Sequence, residues 1–276
     1  MSINDEYRKG IILAGGNGKR LHPLTRAVSK QLLPIYDKPM IFYPLSTLML
    51  SGIKDILIIT TENQLNSFKN LLGEGTELGI ELTYAVQEKP NGIAEAFLIA
   101  EDFIEDSSIT LILGDNLFHG NELIENLKIA NQQKSGATIF AFPVKDPERY
   151  GIISFDNFGE PISIEEKPKS PKSNLAITGL YFFDNTVIEK AKSLKPSNRG
   201  ELEISHINQM YLDEKLLTVR SMGRGMAWFD AGTFESLIDA SSYIRTLQNR
   251  QGLLIGCPEE IAWRNHWIDD RVLKKL

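Results

Sequence analysis

Glycines and cations crowd one stretch near the amino terminus, Gly15-Gly16-Asn17-Gly18-Lys19-Arg20, with Lys30 a little further on. Glycines let backbone N–H groups close around a phosphate as a nest does, and Arg20 and Lys30 add the positive charge that a triphosphate requires. A tight surface turn would explain the glycines alone, but not the cations beside them. The stretch is not a P-loop, because Leu13 stands where that motif has its first glycine and Arg20 where it has Ser or Thr. Nor is it the dinucleotide fingerprint, whose last glycine would fall at Leu21. Between Tyr7 and Tyr36 there is no Asp or Glu, while Arg8, Lys9, Lys19, Arg20, Arg26 and Lys30 all fall there. The whole chain carries a net charge of −6. We therefore expect a local anion site in a negative protein, not a nucleic-acid binder with a basic surface.

The elements around this stretch can be read from apolar runs. Ile11-Ile12-Leu13-Ala14 reads as a buried strand ending in the glycine turn. Further strands are expected at 53–60, 109–113 and 137–144, with helices at 39–50, 93–104 and 123–132. Strands alternating with helices imply a mostly parallel sheet covered on both faces. After Pro147 the rhythm changes to short strands at 150–155, 161–166 and 175–183, an antiparallel addition. Helical patterns return at 186–194, 202–212 and 233–249. No Pro/Gly/Ser linker or internal repeat divides the chain. One composite domain is expected, with parts at about 1–145, 146–232 and 233–276. Ligands of such sheets bind outside the carboxyl ends of the strands, where both the glycine turn and Asp115 should lie.

Composition narrows the class. At 42% hydrophobic and 24% charged, the 276 residues suit a packed globular protein and exclude a disordered chain. No apolar run approaches the roughly 20 residues of a membrane helix, and Met1–Gly10 has no signal-peptide core. Cys257 is the only cysteine, so no internal disulfide forms and a cytoplasmic location is expected. The four histidines lack paired metal-ligand spacing, which argues against zinc.

Ordered blocks extend the glycine stretch over nearly the whole chain. They are Pro23-Leu24-Thr25, Ser29-Lys30-Gln31-Leu32-Leu33-Pro34, Asp37-Lys38-Pro39-Met40 and Tyr84-Ala85-Val86-Gln87. Leu113-Gly114-Asp115-Asn116, Glu165-Glu166-Lys167-Pro168, Arg199-Gly200-Glu201-Leu202-Glu203, Trp228-Phe229-Asp230 and Cys257-Pro258-Glu259-Glu260 follow. Together they resemble the sugar nucleotidyltransferase signature, in the form found in bacterial glucose-1-phosphate thymidylyltransferases. That family converts dTTP and glucose 1-phosphate to dTDP-glucose and pyrophosphate, toward dTDP-rhamnose. The resemblance implies an α/β fold: a Rossmann-like, mostly parallel sheet with an antiparallel sugar-binding addition, as in glycosyltransferase-A-like proteins.

The resemblance also implies roles. Asp115 and Asp230 would hold Mg²⁺, although either alone could be a turn-former. Arg20 would steady the β- and γ-phosphates, Lys30 the α-phosphate, and Lys167 the phosphate of the sugar. Leu13, Ala14, Gly15, Gly16, Asn17, Gly18 and Lys19 would present backbone to the nucleotide. Gln87 and Gly92 would read the base. Asn116, Tyr150, Gly151, Glu166, Ile177 and Glu201 would shape the sugar pocket. A homotetramer and feedback inhibition by dTDP-rhamnose are further implied, with no nucleic-acid or membrane partner.

Three departures from the family pattern stand out. Lys19 and Ala231 each replace a usual threonine, and the sequence ends at Leu276, earlier than the resemblance implies, so the family's last helical segment is expected to be shortened or absent. Two other readings remain open: a pyrophosphorylase of the same fold using UTP or another sugar 1-phosphate, and a non-catalytic nucleotide-sugar binding protein.

Overall fold

Ile11 and Ile12 are both fully buried, which neighbouring strand residues achieve only when both sheet faces are covered. The computed structural model describes residues 8–276, so most of the Met1–Gly10 stretch lies outside the described residues. The chain runs through β1 (Lys9–Leu13), a small hairpin of β2 (Pro34–Ile35) and β3 (Lys38–Pro39), and α1 (Phe42–Leu50). Next come β4 (Asp55–Thr60), α2 (Glu62–Leu72), β5 (Glu81–Val86), α3 (Glu95–Ile99), α4 (Glu101–Ile104) and β6 (Ile109–Leu113). They are followed by β7 (Asn116–His119), α5 (Leu123–Asn131), β8 (Ala137–Pro143), β9 (Gly151–Phe155), β10 (Pro161–Glu166) and β11 (Leu175–Phe183). The last elements are α6 (Val187–Ser193), α7 (Ile204–Asp213), β12 (Leu217–Ser221), β13 (Ala227–Asp230), α8 (Phe234–Gln251), α9 (Pro258–Arg264) and α10 (Asp270–Leu273).

Among the described residues a nine-stranded sheet runs β10-β9-β11-β6-β1-β4-β5, with β8 on β11 and β12 on β8. β1 pairs in parallel with β4 and β6, and β4 with β5. Alternate side chains point to opposite faces. Ile12, Ile58 and Ile112 pack with Leu45 and Leu48 of α1 on one face. Ile11, Leu57 and Leu111 pack with Phe97 and Phe183 on the other. The sheet is thus a mostly parallel α/β core.

The antiparallel addition is carried by β11, which changes partners along its length. Leu180–Phe183 pair with β6, Ala176 pairs with Ile152 of β9, and the register on β8 slips between Ile177 and Tyr181. Gly179 sits in that slip, and its N–H reaches Asn116 Oδ1 at 3.0 Å. β7 and β13 pair only with each other in a separate ribbon, Asn116 opposite Asp230. That ribbon carries the site. α8 starts from a capping box between Thr233 and Ser236, directly after it.

Most expected elements are present within a residue or two. The expected 93–104 helix leaves α geometry at Ala100 (φ −93°, ψ 9°) and becomes α3 and α4. The 202–212 helix starts later, at Ile204, because Leu202 is held outside it: Leu202 N–H donates to Asn91 O (2.6 Å) and Leu202 O accepts from Ala94 N–H (3.2 Å). α2, β5, β7, β12, β13, α9 and α10 were not expected from the apolar runs.

The Leu202 pairing makes Gly92 indispensable. Gly92 has φ +117°, and a Cβ there would lie 2.3 Å from Leu202 O and 2.5 Å from Leu202 N. Backbone cannot retreat as a flexible side chain can. Gly92→Ala should lose at least about 2 kcal/mol of stability in a urea titration; an unchanged midpoint would show that the segment moves freely.

Candidate active site

Asp115 follows β6 and Asp230 ends β13, and the ribbon brings the two carboxylates to one point. Ala231 N–H donates to Asp115 O at 2.9 Å, tying the two turns together. Asn116, only 2% exposed, orients Asp115. Its Oδ1 accepts from Trp228 Nε1 (2.6 Å) and Gly179 N–H (3.0 Å), while its Nδ2 donates to Asp115 Oδ1 (3.1 Å). The geometry therefore gives Asn116 a positioning task beside the carboxylate pair.

Cations surround the carboxylates unevenly. Lys30 Nζ forms a direct ion pair with Asp115 Oδ2 and passes under the glycine turn, 3.8 Å from where a Gly16 Cβ would stand. Arg20 reaches the Asp230 end, its Nη2 beside Gly232. Arg149 Nη2 lies 3.9 Å from Asp230 Oδ2, its Nη1 donates to Asp146 (2.5 Å), and its guanidinium rests on the Tyr150 ring (5.2 Å).

The two carboxylates respond in opposite directions. Burial alone would raise Asp115, but the Lys30 ammonium outweighs it and holds the carboxyl below its usual range. Asp230 has no such close partner. Burial, then the nearby Asp115 charge, pushes it up to about 6. Two carboxylates with no thiolate or imidazole beside them suit a hard cation such as Mg²⁺, completed by water and substrate phosphate. Among the described residues no group of three or more His, Cys, Asp or Glu is gathered for a metal, so the pair is what the protein offers.

A cavity of about 620 Å³ opens over these groups. At one end, Gln87 is 3% exposed and donates through Nε2 to Glu95 Oε2 at 2.7 Å. The Glu95 carboxylate fixes the amide orientation and leaves Oε1 as the free acceptor. On the other side, Lys167 takes a left-handed backbone (φ 44°) and donates its N–H to Tyr150 O at 3.0 Å. Such strain costs of order 1–3 kcal/mol and is concentrated at functional sites. Its Nζ is 3.8 Å from Glu166 Oε1, whereas Glu165 is engaged by Lys172 at 2.8 Å. Burial raises Glu166, partly offset by Lys167. A larger open hollow of about 1100 Å³ beside Trp263 and Trp267 lies apart from these groups.

The sequence pattern of nucleotidyl transferases matches residues 9–246, a span that takes in both carboxylates, the cations and the glycine turn. The chain belongs to the nucleotidyl transferase family. It is 58% identical over 268 residues to the glucose-1-phosphate thymidylyltransferase of Neisseria meningitidis serogroup A, covering 97% of this chain and 93% of the relative. A Bacillus anthracis crystal structure carrying the same enzyme name, in complex with a sucrose, is 44% identical with TM-score 0.79, covering 86% of this chain and 95% of that one. A UDP-glucose pyrophosphorylase complexed with UDP-glucose shares the fold, with TM-score 0.76 over 87% of this chain and 99% of that one at 23% identity.

In this nucleotidyl transferase the cavity wall gathers most of the residues singled out in the sequence. Leu13, Gly16, Arg20, Lys30, Gln87 and Gly92 line it with Asp115 and Asp230. Asn116, Tyr150, Gly151, Glu166, Lys167, Ile177 and Glu201 line it as well. Ala14, Gly15, Asn17, Gly18 and Lys19 are not in the wall, and Asn17 and Lys19 face solvent. The anion-site reading of the whole basic stretch needs correction. Arg8 is buried and donates to the carbonyls of Ile109, Phe183 and Gln133, and Lys9 pairs with Asp55 and Glu105. Both are structural. Arg149, Tyr181, Ser205, Asn208 and Trp228 line the cavity without having been expected there. Only Arg149 and Trp228 had a signal, as neighbours of Tyr150 and Asp230. Ala231 is fully buried and contributes its backbone N–H, so its lost hydroxyl leaves the link between the turns intact.

Asp230 has a consequence for stability. A carboxyl raised in the fold keeps its proton between about pH 4 and 6 after the unfolded chain has lost it. Stability therefore falls as pH rises through that window and stays lower above it. With chelator at pH 8, Asp230→Asn should raise stability by roughly 1–3 kcal/mol, and at pH 4 it should change little. Equal effects at both pH values in thermal melts would refute the assignment.

Proposed function

We propose that this chain transfers a deoxythymidylyl group from dTTP to α-D-glucose 1-phosphate, giving dTDP-glucose and pyrophosphate. The observation that supports it most is the paired Asp115 and Asp230 ringed by Arg20, Lys30 and Arg149 in one cavity. The 58% identity to a relative of that name supports the choice of substrates. A sugar 1-phosphate is already anionic near neutral pH, since its second pKa is about 6. Its oxygen attacks the α-phosphorus, the bond from that phosphorus to the β-bridging oxygen breaks, and pyrophosphate leaves. No protein base is required. The obstacle is repulsion, about 4 kcal/mol for two unit charges at about 4 Å and an effective dielectric of 20.

The residues divide that task by place. Arg20 grips the departing phosphates, Lys30 faces the α-phosphate, and Lys167 holds the phosphate of the sugar. Glu166 and Glu201 accept hydrogen bonds from sugar hydroxyls. Mg²⁺ held by Asp115 and Asp230 would neutralise charge on the triphosphate and polarise its phosphorus centre. Gln87 Oε1 accepts from the pyrimidine N3–H. Thymine and uracil both carry that hydrogen, so Gln87 cannot tell them apart. A methyl contact contributes only about 1–3 kcal/mol, and UTP is the natural second substrate.

The remaining expectations rest on the sequence, the cytoplasmic one on its single cysteine and the others on the resemblance. They are a cytoplasmic site of action, supply of dTDP-glucose toward dTDP-rhamnose, inhibition by dTDP-rhamnose, and a homotetramer. No helix among the described residues is long and apolar enough to cross a membrane. Phe234 and Ile238, one turn apart on α8, are 42% and 60% exposed and offer apolar surface to another subunit.

Pyrophosphate release over a grid of triphosphates and sugar 1-phosphates tests the reading. The highest kcat/KM should come from dTTP with glucose 1-phosphate in the presence of magnesium, with UTP lower by roughly 10–200-fold. Asp115→Asn should keep the fold and lose at least about a hundredfold in kcat. Preference for a purine triphosphate, or normal turnover by Asp115→Asn, would reject it.

A further inference from the structure

Asn208 is the one fully buried amide in the cavity wall whose side chain is idle. It is 0% exposed, and among the described residues neither Oδ1 nor Nδ2 has a hydrogen-bond partner. A desolvated donor or acceptor left unmatched costs about 1–3 kcal/mol, and buried polar groups are as a rule paired. Helix α7 has little freedom to hide the amide elsewhere. Ile204, Ile207 and Tyr211 anchor the helix in the core, and Gln209 Oε1 accepts from Ile164 N–H of β10 at 3.0 Å.

The surroundings indicate what the amide meets. Ser205 lies one turn back on α7, on the same side of the helix; it lines the same cavity as Glu166 and Asn208, and its hydroxyl too is buried without a hydrogen-bond partner among the described residues. Tyr181, buried at 4% exposure, feels the Glu166 charge. Asn208 therefore belongs to the polar wall around Glu166, which is the sugar end of the cavity, and not to the Gln87 end. A carboxylate supplies acceptors only, whereas an amide supplies both donor and acceptor. A sugar hydroxyl also donates and accepts, so it matches Asn208 as it cannot match Glu166 alone.

We propose that Asn208 recognises one hydroxyl of the sugar 1-phosphate, directly or through one fixed water, and so sets sugar specificity. This inference rests on the thymidylyl-transfer reading above. It adds a residue with no catalytic task, whose contribution is to reject acceptors lacking that hydroxyl.

The test is steady-state kinetics with dTTP against glucose 1-phosphate and its 2-, 3-, 4- and 6-deoxy analogues, for wild type and Asn208→Leu. Asn208→Leu should raise KM for glucose 1-phosphate at least about tenfold, the value of one well-made hydrogen bond, with KM for dTTP within about twofold. The decisive result is a pattern. The penalty should collapse for one deoxy sugar and persist for the other three. Asn208→Ser, which keeps a polar group in the wall, should show the same collapse if the leucine variant folds poorly. An equal penalty on all five sugars would mean a packing role, and no penalty would mean that water alone serves the amide; either overturns the inference while leaving thymidylyl transfer intact. A wild type idle with every one of these sugars would overturn the function itself, and this inference with it.

Discussion

Asp115 and Asp230 are like charges that the fold brings together and shields from water, and much of the structure exists to make that tolerable. The β7–β13 ribbon sets their separation through backbone pairing, because Asn116 must stand opposite Asp230. Lys30 then neutralises one of them directly. Arg20 and Arg149 approach the other more loosely, and burial leaves it reluctant to ionise. The asymmetry has chemical content. A pair of titrating groups whose environments push them apart is how a site separates roles. Here Asp115 is kept ionised, and Asp230 has more to gain from a divalent cation.

The same economy of charge explains the surrounding irregularities. Lys167 has a left-handed backbone and Gly92 a φ that other residues rarely adopt. Tyr36, Glu105, Lys215 and His266 also have positive φ away from the cavity, so strain alone does not mark the site; of the non-glycine residues with positive φ, Lys167 is the one in the cavity wall. Each of the two irregularities at the cavity has an identifiable partner. Lys167 N–H finds Tyr150 O, and the neighbours of Gly92 in sequence find Leu202. The strain is thus held by backbone hydrogen bonds between separate segments of the chain.

How much of this was legible beforehand depended on where the information resides. β1, β4 and β6 are buried on both faces, so they appear as unbroken apolar runs that sequence reading finds easily. α2 fully buries only Phe68; its apolar stripe is the short series Leu65, Phe68 and Leu72 among polar residues, which the reading of apolar runs passed over. β7 and β13 have four residues each and pair only with each other; nothing local announces such a ribbon, although both chemical residues sit at its end. The two aspartates were recognisable through their ordered motifs, while their electrostatic difference was not. It follows from Lys30 being nearer to one than the other, a fact of packing. Arg8 and Lys9 were misread for a related reason. Charge along the chain does not say which cations the fold consumes internally, and the carbonyl cage around Arg8 draws on residues more than a hundred positions away.

Selectivity at the two ends of the cavity rests on different physics. At the base end Glu95 takes the Gln87 donor, so the pocket presents a single acceptor and must leave the thymine methyl to shape. Shape distinguishes a methyl weakly. At the sugar end the wall is polar and buried, and an acceptor missing a hydroxyl leaves protein groups unpaired. Unpaired buried groups discriminate far more strongly than a missing methyl does. On the proposed function, discrimination against UTP would rest on shape alone, while discrimination among sugars would rest on the polar wall built by α7 and β10.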